Sequence, residues 1–136
     1  MLRVASQLVD GVQKGLAERG FDDVRPVHGF AFARLSGDRS TTADLAEHLG
    51  VTKQAASQLV GHLVAHGYLM REVDSRDGRA RLLVLTERGN ACTSAAEQAA
   101  ADTVDRWKEQ LPAQRFADLA SSLRTIAAPG RLRPAW

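Results

Sequence analysis

The sequence predicts a mainly α-helical domain that contains one small β-hairpin. Apolar residues recur at helical spacing through most of the chain, threonine and glycine residues bound these segments, and one short stretch alternates with a period of two. The chain has 136 residues, of which 44% are hydrophobic and 25% are charged. These values fit a single globular domain over residues 1–136.

Two helices are predicted in the first 35 residues. The first ends at Gly20 and carries an apolar stripe at Ala5, Leu8, Val9, Val12 and Leu16. The second is short and less regular, with Asp22 and Asp23 as capping candidates before Pro26. Its apolar residues continue to Leu35, and Ser36-Gly37 interrupts the pattern.

Two further short helices are joined by a tight connection. Thr41 or Thr42 can cap the third helix, which ends at Gly50. Thr52 can cap the fourth, which ends at Gly67. One face of the fourth helix is apolar, through Ala56, Leu59, Val60, Leu63 and Val64. The opposite face is small and polar, and it is predicted to point away from the core.

A β-hairpin and two more helices complete the chain. Residues 69–74 alternate, residues 81–86 are rich in Leu and Val, and Asp77-Gly78 supplies the turn between them. Thr86 can cap a long fifth helix with an expected inner stripe of Ala96, Ala100, Val104, Trp107 and Leu111. A sixth helix begins at Pro112 and is expected to bury Phe116, Leu119, Ala120, Leu123 and Ile126.

Two short helices followed by a charged hairpin form a winged helix-turn-helix, which predicts binding to double-stranded DNA. On the fourth helix, Gln54 and Gln58 can pair with adenine edges in the major groove, beside Ser57. Thr52 and Lys53 at its start are placed for phosphates, and His62 is a further candidate contact. Phosphate contacts are also expected at the start of the third helix, from Ser40, Thr41 and Thr42.

The hairpin tip is expected to enter the minor groove through Arg76, Arg79 and Arg81, with Asp77 holding an arginine by an ion pair. The net charge of the chain is only +2, and residues 36–81 contain six basic and six acidic residues. DNA binding therefore requires that the bases face the duplex and that the acids are paired or turned away. A winged helix used for protein contact remains the alternative, and salt dependence separates the two.

Other classes of protein fit the sequence poorly. Its one cysteine, Cys92, excludes an internal disulfide, and a small buried residue is favoured over a redox sensor there. The four histidines show no metal spacing, and no catalytic constellation is present, so we expect neither an enzyme nor a cofactor. Without an apolar run of roughly 18 residues, a soluble cytoplasmic protein with no membrane contact is expected.

Residues 41–89, TTADLAEHLGVTKQAASQLVGHLVAHGYLMREVDSRDGRARLLVLTERG, resemble the DNA-binding core of the MarR family of bacterial transcriptional regulators. The similar features are the LG that ends the third helix, the VTK start of the fourth, the HGY exit, the DSRDGR wing and the LTERG start of the fifth. The resemblance implies Gln54, Ala55, Ser57 and Gln58 as base readers and Arg79 as the minor-groove arginine. Gln58, Gly61 and Gly78 depart from residues that are frequent in the family, so the operator sequence cannot be transferred from relatives.

The resemblance also implies an assembly and a mode of control. About residues 1–35 and 87–136 would form dimerisation helices, and about residues 36–86 would form the winged-helix lobe. A homodimer would bind a pseudo-palindromic operator, often as a repressor, and a small aromatic ligand would often release it. The pocket for this ligand is expected near His28, Phe30, Phe32 and Trp107.

Overall fold

A computed structural model describes residues 2–127 as six helices and one two-stranded antiparallel sheet. The predicted fold class is therefore confirmed. In chain order the elements are α1 (Leu2–Glu18), α2 (Pro26–Gly37), α3 (Thr42–Leu49), α4 (Lys53–Ala65), β1 (Leu69–Val73), β2 (Arg81–Leu85), α5 (Glu87–Lys108) and α6 (Ala113–Ile126). The predicted domain limits also include residues 1 and 128–136, which lie outside the described residues.

Threonine side chains begin three of the helices, as predicted. Thr41, Thr52 and Thr86 each accept a hydrogen bond from the backbone N–H three residues later. Helix α2 begins differently, and the capping role expected for Asp22 and Asp23 is wrong. Its N-cap residue is Arg25, and Pro26, which has no N–H to satisfy, follows it at the first helical position.

The sheet and the short helices enclose the main core. Strands β1 and β2 pair from Leu69 opposite Leu85 to Val73 opposite Arg81. Ser40, just before α3, forms an isolated bridge to Leu83 of β2, and its carbonyl accepts the Leu83 N–H. This bridge fixes the start of α3 against the hairpin. The core residues with no measurable exposure include Leu45, Val60, Leu63 and Tyr68.

Helices α1 and α5 lie along each other and approach closely because small residues line the contact. A Cβ at Gly11 would collide with Thr103, and one at Gly15 would collide with Ala99. The buried face of α5 consists of Gly89, Cys92, Ala99 and Thr103. The expected inner stripe through Ala96 and Trp107 is therefore wrong in phase, since those residues are only partly buried and Leu111 is exposed.

Helix α6 buries no residue within the protomer, contrary to the expectation from its apolar spacing. Leu119 is 48% exposed, Leu123 44% and Ile126 74%, whereas Phe116 and Ala120 are partly buried. The physical reason is that no other helix or strand of residues 2–127 packs broadly along this face. An amphipathic helix with an uncovered apolar face is typical of an interface with another chain.

Candidate nucleic-acid interface

Helix α4 separates its apolar and polar residues cleanly between two faces. Ala56, Val60 and Leu63 have no measurable exposure and anchor the helix in the core. The first turns expose the residues predicted to contact DNA, which are Thr52, Lys53, Gln54, Ala55, Ser57 and Gln58. A helix with one face anchored and short polar side chains on the other meets the requirement for insertion into a major groove.

His62 is placed differently from the other predicted contacts on α4. Its ring stacks between those of His28 on α2 and His66 at the end of α4, with centroid separations of 4.9 Å and 4.0 Å. The Nε2 atom of His62 is buried and has no hydrogen-bond partner among the described residues. The ring therefore packs against α2 and is less open to solvent than the side chains of Gln54 and Gln58.

The three residues predicted at the start of α3 have different environments. Ser40 is 1% exposed, and its hydroxyl is buried, so this side chain cannot reach a phosphate in the observed conformation. Thr41 and Thr42 are partly exposed. The Thr41 N–H and hydroxyl both donate to the carboxylate of Asp44, which closes a capping box. These hydrogen bonds hold the pKa of Asp44 below its usual value.

The hairpin tip displays its arginines through two local turns. The Asp74 carboxylate accepts the Arg76 N–H at 2.9 Å, and the Asp77 carboxylate accepts the Arg79 N–H at 3.0 Å. Both guanidinium groups belong to exposed residues. Arg81 donates to the Gly78 carbonyl at 3.1 Å. The ion pair expected for Asp77 is wrong, because its carboxylate supports the backbone of Arg79 and no ion pair of residues 2–127 includes it.

The balanced charge of residues 36–81 conceals an asymmetry between acids and bases. Glu72 pairs with Arg39 at 3.0 Å and Asp38 lies 3.9 Å from Arg34, while Asp44, Asp74 and Asp77 accept backbone N–H groups. By contrast, the ion pairs of the described residues leave out five bases at exposed positions, namely Lys53, Arg71, Arg76, Arg79 and Arg81. The acids thus face partners inside the chain, while the exposed bases are available to phosphates.

A polar contact that the sequence did not reveal joins the DNA-binding elements to the flanking helices. Tyr68 is buried just before β1, and its hydroxyl donates a hydrogen bond to the Asp23 carboxylate at 2.5 Å. Arg88 of α5 donates to the same hydroxyl and lies over the Tyr68 ring. The Tyr68 hydrogen bond lowers the pKa of Asp23, and burial followed by this bond raises the pKa of Tyr68. These residues are too far apart in sequence for spacing to predict their contact.

The residues predicted to line a ligand pocket do not share a described cavity. Phe32 and His28 are buried, Phe30 packs against the core, and Trp107 lies near the far end of α5. A cavity of about 70 Å³ lies between α1 and α5, and an open groove of about 460 Å³ lies between the end of α2, β2 and α5. Both are lined by other residues, such as Lys14 and Asp102 in the first and Arg39 and Asn90 in the second.

Cys92 is fully buried, and burial raises the pKa of its thiol to about 11. The thiol is therefore protonated at neutral pH and shielded from oxidants, which supports the packing interpretation of this residue. Among residues 2–127, no group of three or more metal-ligating side chains is arranged to hold a metal ion. The helices in this range also lack the combined length and apolarity that a membrane-spanning segment needs.

Comparison with known proteins bears on the same region. A model of the MarR family matches residues 30–80, which include α3, α4, β1 and the wing tip. Over these residues the chain is similar to the DNA-binding segment of the MarR family. This match confirms the resemblance to the MarR family of transcriptional regulators that the sequence shows in this segment. A search of curated protein sequences found no match.

Solved structures show that the similarity to the MarR fold extends beyond the matched segment. E. coli MarR in its reduced form has a TM-score of 0.77 at 21% identity, with 93% of this chain and 92% of that chain covered. A mutant of S. aureus MepR bound to an oligodeoxyribonucleotide has a TM-score of 0.71 at 21% identity, with 92% and 94% covered. A Mycobacterium tuberculosis MarR family protein in complex with salicylic acid has a TM-score of 0.70 at 25% identity, with 93% and 92% covered.

Proposed function

We propose that the protein is a sequence-specific transcriptional regulator that inserts α4 into the major groove of double-stranded DNA. The observation that carries this proposal is the exposed polar face of α4, formed by Lys53, Gln54, Ser57 and Gln58 opposite a fully buried apolar face. Ala55 and the cap Thr52 lie beside these residues, and Thr41 and Thr42 flank the same surface at the start of α3. The wing arginines Arg76 and Arg79 are the candidates for the minor groove, and Arg81 supports the tip.

The regulator is proposed to act as a homodimer. The dimerisation part comprises about residues 1–35 and 87–136, and the DNA-binding lobe about residues 36–86. The uncovered apolar face of α6 supports this division, because Leu119, Leu123 and Ile126 need a partner surface that residues 2–127 do not supply. Two copies of α4 related by a twofold axis would read a pseudo-palindromic operator.

We further propose that the protein is a cytoplasmic repressor and that a small aromatic ligand releases it from its operator. This proposal is supported by the fold shared with the salicylic acid complex of the M. tuberculosis protein. The lobe junction near His28, Phe30, Phe32 and Trp107 is the proposed position, and these side chains would have to rearrange to form a pocket because they share no described cavity. If salicylate weakens operator binding by some factor, the operator must weaken salicylate binding by the same factor. Titration of the free protein and of the complex with salicylate measures both factors.

Selection of bound sequences from random duplexes tests the proposal directly. We expect an enriched pseudo-palindrome with half-sites centred about 10 base pairs apart or a multiple of it. Affinity for this operator should fall steeply with salt, because the exposed bases displace counterions from phosphates. No enrichment, together with salt-independent binding to a protein partner, would instead support the winged helix as a protein-interaction module, which the balanced charge of residues 36–81 also permits.

A further inference from the structure

Three of the four histidines form a single stack behind the recognition surface. His28 comes from α2, His62 from α4, and His66 from the C-cap of α4. Adjacent rings are inclined by only 24° and 29°. The stack is a direct contact between α4 and a flanking helix, so it helps to determine where α4 lies relative to the rest of the domain.

The hydrogen bond that His28 accepts requires a neutral ring, whereas the one at His66 requires only a protonated Nδ1. The Nδ1 atom of His28 accepts the Arg25 N–H at 3.0 Å, so it must keep its lone pair. The Nδ1 atom of His66 lies 2.8 Å from the His62 carbonyl, which can only accept, so this nitrogen carries the proton. The central ring, His62, has a buried Nε2 with no partner among residues 2–127. A second proton on His28 would therefore break the capping box of α2.

Burial and several neighbouring titratable groups determine the pKa of His28. Burial, followed by the charges of His62 and Arg25, lowers the pKa of His28 to about 4, while Asp23 acts in the opposite direction and His66 adds to the lowering. A histidine free of these contacts titrates near 6.5. The observed arrangement therefore favours the neutral ring. The stability that the neutral His28 ring contributes to this arrangement is fully present above pH 6.5 and is lost progressively as the pH falls toward 4.

Position along α4 connects the stack to the proposed DNA surface. Gln54, Gln58, His62 and His66 follow one another at intervals of four residues, so they lie along one side of the helix. The first two are exposed on the proposed base-reading face, and the last two belong to the stack. Because α4 is one continuous helix of 13 residues, we expect a displacement at His62 to be carried to Gln58 one turn away.

We propose that the His28, His62 and His66 stack positions α4 for base reading and that proton uptake by His28 loosens α4 and weakens operator recognition. This inference rests on the proposed function, since it concerns the same DNA surface. The three histidines are positioning residues, because they affect DNA only through the placement of Gln54 and Gln58, which lie nearer the start of α4. Because a histidine free of the stack titrates near 6.5 and the pKa of His28 within it is about 4, lowering the pH to 5.5 weakens the seated arrangement by up to about tenfold.

The test compares operator and random-duplex affinities at pH 7.5 and pH 5.5 and at one ionic strength. For the wild-type chain we expect the ratio of operator to random affinity to fall by up to about tenfold. His28→Asn keeps an acceptor near the Nδ1 position but cannot be protonated, so its ratio should change by less than about twofold. His48→Asn on α3, which removes the histidine outside the stack, should behave as the wild type. Equal changes in the wild type and His28→Asn, or no change in the wild type, would overturn the proposal.

A titration of the wild-type chain by nuclear magnetic resonance keeps the test independent of DNA binding and of variant folding. The proposal predicts that the His28 ring protons titrate well below pH 6 and that amide exchange in α4 accelerates as they do. Titration of His28 near pH 6.5 with unchanged α4 exchange would refute the stack as a positioning device. If no operator can be selected at pH 7.5, the proposed function fails, while this titration still decides whether the stack holds α4.

Discussion

Helices α4 and α6 have similar amphipathic patterns but opposite environments. Ala56, Val60 and Leu63 of α4 are fully buried in the core and Leu59 and Val64 pack against it, so the remaining face is free for a ligand. On α6 the polar face is exposed as well, yet Leu119, Leu123 and Ile126 are also open to solvent. The comparison shows that periodicity identifies an apolar face, whereas the location of its partner depends on the rest of the assembly.

The largest expected effect follows from a charge on the open face of α6. Leu123→Glu should convert the proposed dimer to a monomer, because each copy loses an apolar contact worth about 1.5 to 3 kcal/mol and the dimer contains two. Light scattering at micromolar concentration measures the mass. Ser121→Glu, on an exposed polar position of the same helix, is the control and should leave the dimer intact. A wild-type monomer, or a dimeric Leu123→Glu protein, would show that α6 is not the interface.

The corresponding change in α4 should act on folding at every protein concentration. Leu63 has no exposed surface, so Leu63→Ala should lower the free energy of unfolding by about 2 to 5 kcal/mol through lost contacts and a cavity. Leu119→Ala on α6 is the matched comparison. Its effect should shrink as the protein is diluted, because it acts through association. Urea unfolding at two protein concentrations separates them, and a concentration-independent loss for both would remove the distinction.

The contrast between these helices also explains which features the sequence could predict. The threonine caps and the two faces of α4 depend on residues within one or two helical turns, so spacing was sufficient. The stack of His62 on His28 and the contact of Tyr68 with Asp23 and Arg88 join residues far apart in the chain. Whether His62 faces DNA or α2 is decided by that distant packing, which periodicity does not contain.

Two other errors have local causes. The inner stripe of α5 was placed out of phase because alanines occur on several of its faces, and small side chains mark the buried face weakly. The observed role of Asp77 does have a signal in the sequence, which is its position two residues before Arg79 in a turn. An aspartate two residues before an arginine in a turn can accept the backbone N–H of that arginine, and the structure shows this geometry at 3.0 Å.

Removing one side-chain amide from the exposed face of α4 tests whether that face reads bases. Gln58→Ala should cost about 1 to 3 kcal/mol on the selected operator and much less on random DNA, since its side chain can form paired hydrogen bonds to a base. Gln54→Ala should behave likewise, and both changes are exposed enough to leave folding intact. Anisotropy with operator and random duplexes at one salt concentration measures the two losses. Equal losses on both duplexes would remove these glutamines from base reading.

The smallest effect is expected at the wing, where Arg79 acts through charge and groove shape. Its guanidinium belongs to an exposed residue and enters no ion pair of residues 2–127, so it is free to approach a phosphate-lined minor groove. Arg79→Ala should therefore weaken operator and random duplexes by similar factors. It should also lower the slope of log affinity against log salt by about one unit at most. Asp77→Ala is a useful companion because it keeps the arginine but removes the carboxylate that accepts the Arg79 N–H. If the turn positions the guanidinium, Asp77→Ala should reduce affinity while the salt slope is retained, and an unchanged affinity would show that the turn contributes nothing to binding.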